Sequence, residues 1–208
     1  MKIAVITNTE LKEELLAQGL SNDVQVEWLT EVTPVPDADC YIDLLFKVEE
    51  QRIDKLINLQ PALVIVNSVT GTQEELPLNF IRINAWPTFL KRTLLEASGI
   101  DVILKEKTEK LFQNFNKKVE WVPDIPGFIT PRVICMIINE AYFTLEEEVS
   151  SKPEIDTAMK LGTNYPYGPF EWSEKIGLKN VYDLLIKLAQ TNSRYEPSAL
   201  LKKEYLLT

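Results

Sequence analysis

The chain has 208 residues, 45% hydrophobic and 25% charged, with a formal net charge of −9, two cysteines and no histidine. That length supports one sizeable domain or two small ones, and the missing imidazole excludes Ser-His-Asp triads, Cys-His pairs, histidine metal sites and histidine acid–base chemistry. The acidic balance repels phosphate backbones, which argues against nucleic acid as a partner, and two cysteines without CxxC spacing (Cys40 and Cys135) read as buried reduced thiols.

The opening apolar run, residues 3–6, has the character of a strand buried on both faces. It is too short for a signal peptide, and no apolar stretch has the roughly 20 residues that span a bilayer, so a cytoplasmic protein is expected. Thr7 to Glu10 offers a helix start, and Leu11, Leu15, Leu16 and Leu20 form a stripe that ends near Gly19. Val24, Val26 and Trp28 alternate as a second strand. Residues 40–46 are apolar except for Asp43, residues 48–59 form an amphipathic helix, and 62–66 form a third buried strand. Residues 78–83 suggest another strand. Residues 88–97 fit helix or strand equally, 107–115 look helical, and 119–122 read as a closing strand.

This alternation predicts a mainly parallel, Rossmann-like sheet over residues 1–123. A full two-halved dinucleotide fold needs roughly 150 to 180 residues at about 30 per unit, so this domain is shortened. Beyond Asp124-Ile-Pro-Gly127 the pattern becomes helical, over 128–149, 153–161, 180–190 and from Ser198, giving an all-α domain at 124–208. The first of these helices is apolar around most of its circumference and asks for a partner surface. Tyr165-Pro-Tyr-Gly-Pro169 reads as an irregular connection. Lys105, Lys107, Lys110, Lys117 and Lys118, set among Glu106 and Glu109, read as a solvated face.

Two segments, Asp124-Ile-Pro-Gly-Phe-Ile-Thr-Pro-Arg132 and Ile155-Asp-Thr-Ala-Met-Lys-Leu-Gly-Thr-Asn-Tyr-Pro-Tyr-Gly-Pro-Phe-Glu171, resemble the C-terminal domain of NAD-dependent 3-hydroxyacyl-CoA dehydrogenases. Upstream, Ala38 to Asp43 resembles the family strand that ends in a carboxylate near the cofactor. Ile65 to Thr70 resembles its Asn-Thr-Ser-Ser segment, and Phe80 to Glu96 lies on its catalytic segment without a gap. The resemblance implies a Rossmann-type domain for the nicotinamide, a helical domain closing over an acyl-CoA thioester, and a homodimer through the helical domain. It also implies a His-Glu pair that takes the hydroxyl proton, with a serine and an asparagine positioning the substrate.

On that pattern Asn84 stands at the histidine, Glu96 at its partner carboxylate, Val69 at the serine and Pro131 at the asparagine. Glu96 alone keeps its family identity. An amide cannot accept and return a proton near neutral pH, valine has no hydroxyl, and proline offers neither amide nor backbone N–H. The nucleotide turn, Ile6-Thr7-Asn8-Thr9-Glu10-Leu11, has no glycine, and Glu10, Glu13 and Glu14 add negative charge where a pyrophosphate would sit. Asp43 is the remaining cofactor-side candidate. Asn67, Ser68, Thr70, Asn84 and Glu96 are the candidate ligand-pocket residues, and no metal site is expected.

The expectation is a divergent family member without dehydrogenase chemistry that binds an acyl-CoA-type ligand and needs no cofactor. An active NAD-dependent dehydrogenase with a rebuilt site, acting through Glu96, is the first alternative. A dimeric interaction module is the second.

Overall fold

The computed structural model describes residues 1–207, and the chain divides into two compact units between Phe128 and Ile129. The first unit is a seven-stranded sheet built on β1 (Lys2–Ile6), where residues 3 to 6 are wholly buried. Asn8 caps α1 (Thr9–Leu16) by accepting the Leu11 N–H, and the chain turns back at Gly19, whose φ of +96° suits only glycine. Strand β2 (Gln25–Leu29) follows, then β3 (Cys40–Asp43), α2 (Glu50–Ile57) and β4 (Leu63–Asn67). Strand β5 (Phe80–Ile83), β6 (Leu94–Ser98), α3 (Val102–Gln113) and β7 (Lys118–Trp121) complete the unit.

The strands run in the order β2-β1-β3-β4-β5-β6-β7. All neighbours are parallel except β5 and β6, which form an antiparallel pair. A six-stranded Rossmann sheet has two strands beyond β1 on one side; this one has only β2 there. The fold is therefore a shortened Rossmann-like sheet. Alternate side chains fill the two faces: Ile3, Val5, Ile42 and Ile65 pack with Leu11, Leu15 and Phe112, while Ala4, Ile6 and Tyr41 pack on the other side. Burial on both faces is why these strands read as unbroken apolar runs.

Two connections depart from the alternating pattern. Between β4 and β5 there is only a short 3-10 turn, Gln73–Glu75. Residues 85–93, ambiguous in sequence, are an irregular connection, and only Leu94–Ser98 is strand. Residues 124–128 pack with the sheet unit. Asp124 pairs with Arg82 and accepts the Gln73 N–H at 2.8 Å, and Gly127 N–H donates to the Val69 carbonyl at 2.8 Å.

The second unit holds α4 (Thr130–Glu146), α5 (Lys152–Thr163), α6 (Pro169–Ile176), α7 (Leu178–Ala189) and α8 (Ala199–Tyr205). Helix α4 packs on α6, α7 and α8 through Ile134, Cys135, Ile138, Ala141 and Tyr142. Helix α6 is absent from the sequence expectation, because Gly168-Pro169 reads equally as a turn. Its start is built from outside: Asp156 of α5 accepts the Phe170 and Glu171 N–H groups at 2.8 and 3.2 Å, and Glu171 accepts the Gly168 N–H at 3.0 Å. A Cβ on Gly168 would lie 2.3 Å from Asp156, so only glycine fits there. Both cysteines are free and buried, which pushes their thiol pKa values up. Among the described residues no helix is long and apolar enough to cross a membrane, and no cluster of three potential metal ligands occurs.

Candidate functional site

Strand β5 delivers Asn84 one residue past its end, and the antiparallel return of β6 sets Glu96 opposite it. The Asn84 backbone N–H donates to the Glu96 carbonyl at 3.0 Å. Directly opposed residues of an antiparallel pair share a face. Accordingly the Asn84 side-chain Nδ2 donates to Glu96 Oε2 at 3.0 Å, with both side chains buried. Asn84 Oδ1 accepts the Trp86 N–H at 3.4 Å. The two positions that the sequence resemblance sets at a His-Glu dyad are therefore hydrogen-bonded neighbours, an amide and a carboxylate. Arg92 lies nearby with its guanidinium 4.7 Å from the Phe89 ring; burial pulls its pKa down while the charge of Glu96 supports it.

Asn67, at the end of β4, has its amide already engaged. It donates to the Leu44 and Ala85 carbonyls at 3.1 and 3.3 Å and accepts the Ala85 N–H at 3.0 Å, tying three connections together. It is a structural staple, not a free ligand group. Ser68 is buried, and its carbonyl accepts Arg82 Nε at 3.1 Å; Thr70 is half-buried. Val69, which the sequence resemblance sets at the serine, is buried, and Pro131 is the second residue of α4, where a missing N–H costs nothing.

The nucleotide side is also committed internally. Asn8 Oδ1 takes the Leu11 N–H at 2.9 Å, the Thr7 hydroxyl donates to the Asn8 carbonyl at 3.0 Å, and Glu10 stands in the first turn of α1. Asp43, expected near a cofactor, is fully buried and gripped by Arg52 of α2 through two bonds of 2.7 Å. Desolvation pushes the Asp43 pKa up, with Arg52 and the Leu45 N–H acting against it. Glu14 is likewise engaged within the chain: its Oε1 accepts the Thr88 N–H at 2.6 Å.

Three charged groups escaped the sequence reading. Arg82 lies wholly buried in β5, pairing with Asp124 and facing the Phe128 ring at 5.0 Å. Lys117 is not on a solvated face: it is 1% exposed and donates to the Leu90 and Arg92 carbonyls at 2.5 and 2.9 Å. Burial lowers its pKa to about 8, opposed by Glu14. Arg52, within the expected amphipathic helix, pairs with the buried Asp43. A lone charge inside an apolar run, as Arg82 is in Phe80–Ile83, is the one available signal.

In the second unit, an apolar groove of about 400 Å³ runs between α4 and α5, lined by Ile137, Ala141, Val149, Ile155, Ala158 and Met159. The Tyr165 and Tyr167 rings pack on Trp172 at 5.4 and 6.1 Å, so they belong to the fold of this connection.

The 3-hydroxyacyl-CoA dehydrogenase C-terminal domain family matches residues 127–206. The 3-hydroxyadipyl-CoA dehydrogenase of Escherichia coli (strain K12) is 42% identical over 97 residues, 46% of this chain and 20% of that protein. The 3-hydroxybutyryl-CoA dehydrogenase of Bradyrhizobium diazoefficiens is 28% identical over 216 residues, covering 95% of this chain and 72% of its own length. Among solved structures, (S)-3-hydroxybutyryl-CoA dehydrogenase from Ralstonia eutropha superposes with a TM-score of 0.76 at 18% identity, over 99% of this chain and 93% of that one. The fold is therefore shared over both units.

Proposed function

Through its second unit the chain belongs to the 3-hydroxyacyl-CoA dehydrogenase family, and from that premise we propose a divergent member that lacks dehydrogenase chemistry and binds an acyl-CoA-type ligand. One observation carries the reading: Asn84 holds Glu96 at 3.0 Å where the family resemblance calls for an imidazole. Oxidising a 3-hydroxyacyl thioester requires a group that takes the hydroxyl proton, and a carboxamide does not titrate near neutral pH. The cofactor side supports the same reading. A dinucleotide pyrophosphate rests on glycine-lined backbone N–H groups at a helix start. Here Asn8 consumes one of them and Glu10 opposes an anion, so these residues do not fit NAD held in that manner.

Two measurements test the proposal. With NADH and acetoacetyl-CoA, the purified protein leaves NADH absorbance flat; steady oxidation that disappears in Glu96→Gln establishes a rebuilt dehydrogenase instead. Calorimetric titration with acetoacetyl-CoA gives a binding isotherm, whereas no heat at millimolar ligand removes ligand binding and favours an interaction module.

The reading includes a homodimer through the helical unit. The apolar groove between α4 and α5, with Val133 52% and Phe143 39% exposed, supports it, since such a surface in water favours a partner. A monomer by light scattering rejects it. Two free buried thiols fit a cytoplasmic setting.

A further inference from the structure

The connection from residue 85 to 93 joins the two members of the Asn84–Glu96 pair, and its anchoring is unusual. A loop of this length can be closed by apolar packing, and Trp86, Phe89 and Leu90 are indeed buried. Yet three long polar side chains from distant parts of the chain also reach it. Glu14 of α1 accepts the Thr88 N–H at 2.6 Å, and Gln18 Nε2 donates to the Lys91 carbonyl at 2.8 Å. Lys117, the residue before β7, donates to the Leu90 and Arg92 carbonyls. Four of the nine residues are thereby fixed by name. Thr88 is held at a φ of +76°, which is strained for a β-branched residue, and its hydroxyl is buried without a protein hydrogen-bond partner.

Burying charge to hold a loop is costly. A buried lysine ammonium gives up its hydration, and carbonyl dipoles return only part of it. Desolvation is also the leading influence on Glu14. An arrangement that tolerates these costs fixes backbone position more tightly than apolar contacts do. The part so fixed is the span between Asn84 and Glu96.

We propose that Glu14 and Lys117 are positioning residues for the Asn84–Glu96 pair, setting the separation and orientation at which it meets an acyl-CoA-type ligand. The inference rests on the ligand-binding reading, but its central test does not need a ligand. The Asn84 side-chain amide is followed by ¹⁵N NMR, identified by its loss in Asn84→Ser. Glu14→Ala removes the acceptor for Thr88, Glu14→Gln retains one, and Lys117→Met removes the amine while keeping its bulk. The expected result is a shift of the two Asn84 amide protons toward each other in Glu14→Ala and Lys117→Met, with recovery in Glu14→Gln. Affinity for acetoacetyl-CoA should fall about tenfold in the first two at temperatures well below unfolding. If Lys117→Met does not fold, the Glu14 pair decides. An unmoved Asn84 amide in folded Glu14→Ala overturns the inference. A moved amide in Glu14→Ala, alongside wild-type protein with no affinity for acetoacetyl-CoA, upholds the positioning role and removes the ligand reading alone.

Discussion

The two units treat the family pattern differently. In the second, the residues that make the sequence recognisable are engaged in building local structure. Asp156 supplies acceptors for the start of α6, Gly168 leaves room for it, and Tyr165 and Tyr167 rest on Trp172. In the first, the frame and the cross-strand pairing at 84 and 96 are present, while the positions that the resemblance assigns to chemistry hold an amide and a valine; the proline at the third such position, Pro131, stands at the head of α4 in the second. A motif whose members hold one another in place identifies a fold. A motif whose members must act on something else identifies a function, and on our proposal only the first kind is intact here.

This contrast can be broken at its strongest point. Arg82→Met leaves Asp124 without its cation and the Ser68 carbonyl without its donor, and should cost about 3 kcal/mol of stability, read by urea denaturation. Asp156→Ala removes two acceptors from the start of α6 and should cost about 2 kcal/mol. If Asp156→Ala is instead neutral, the structural account of the recognisable segment is wrong.

Lys117 gives a pH signature of the first unit. Its pKa is about 8 in the folded chain and near 10.5 when unfolded. Between those values the unfolded chain binds more protons, so this group's contribution to stability rises with pH across that window, by on the order of 2 kcal/mol. Wild type minus Lys117→Met, compared by denaturation at neutral pH and near the top of the window, isolates it. The smallest expected effect is the most pointed. Asn84→His places an imidazole beside Glu96, which raises the histidine pKa, yet NADH oxidation with acetoacetyl-CoA stays undetectable because Val69 and Pro131 are unchanged.

How far the sequence could be read follows from what each segment buries. Strands β1, β3 and β4 are covered on both faces, so their apolar runs were plain. Residues 85–93 bury Trp86, Phe89 and Leu90 without any period, because the segment is held by side chains from elsewhere and not by its own repeat. Helix α6 was hidden since its capping group, Asp156, lies on the preceding helix. The 84–96 pairing was legible through family spacing. The burial of Lys117 and Arg82 was not fully so, since a charge in sequence looks solvated until its partners are known.

One consequence concerns β2. With a single strand beyond β1, β2 becomes the rim of the sheet, and no residue in it is fully buried. Gln25 and Glu27 point outward, Glu27 faces Lys2 at 3.7 Å, and Lys12 lies over the Trp28 ring. A short rim whose outward positions carry a polar and a charged side chain, Gln25 and Glu27, is a poor template for another chain's backbone. It is also thinly insulated from water. Its amides should exchange hydrogen well before those of β3 and β4, making this margin the first part of the sheet to open and the interior strands the last.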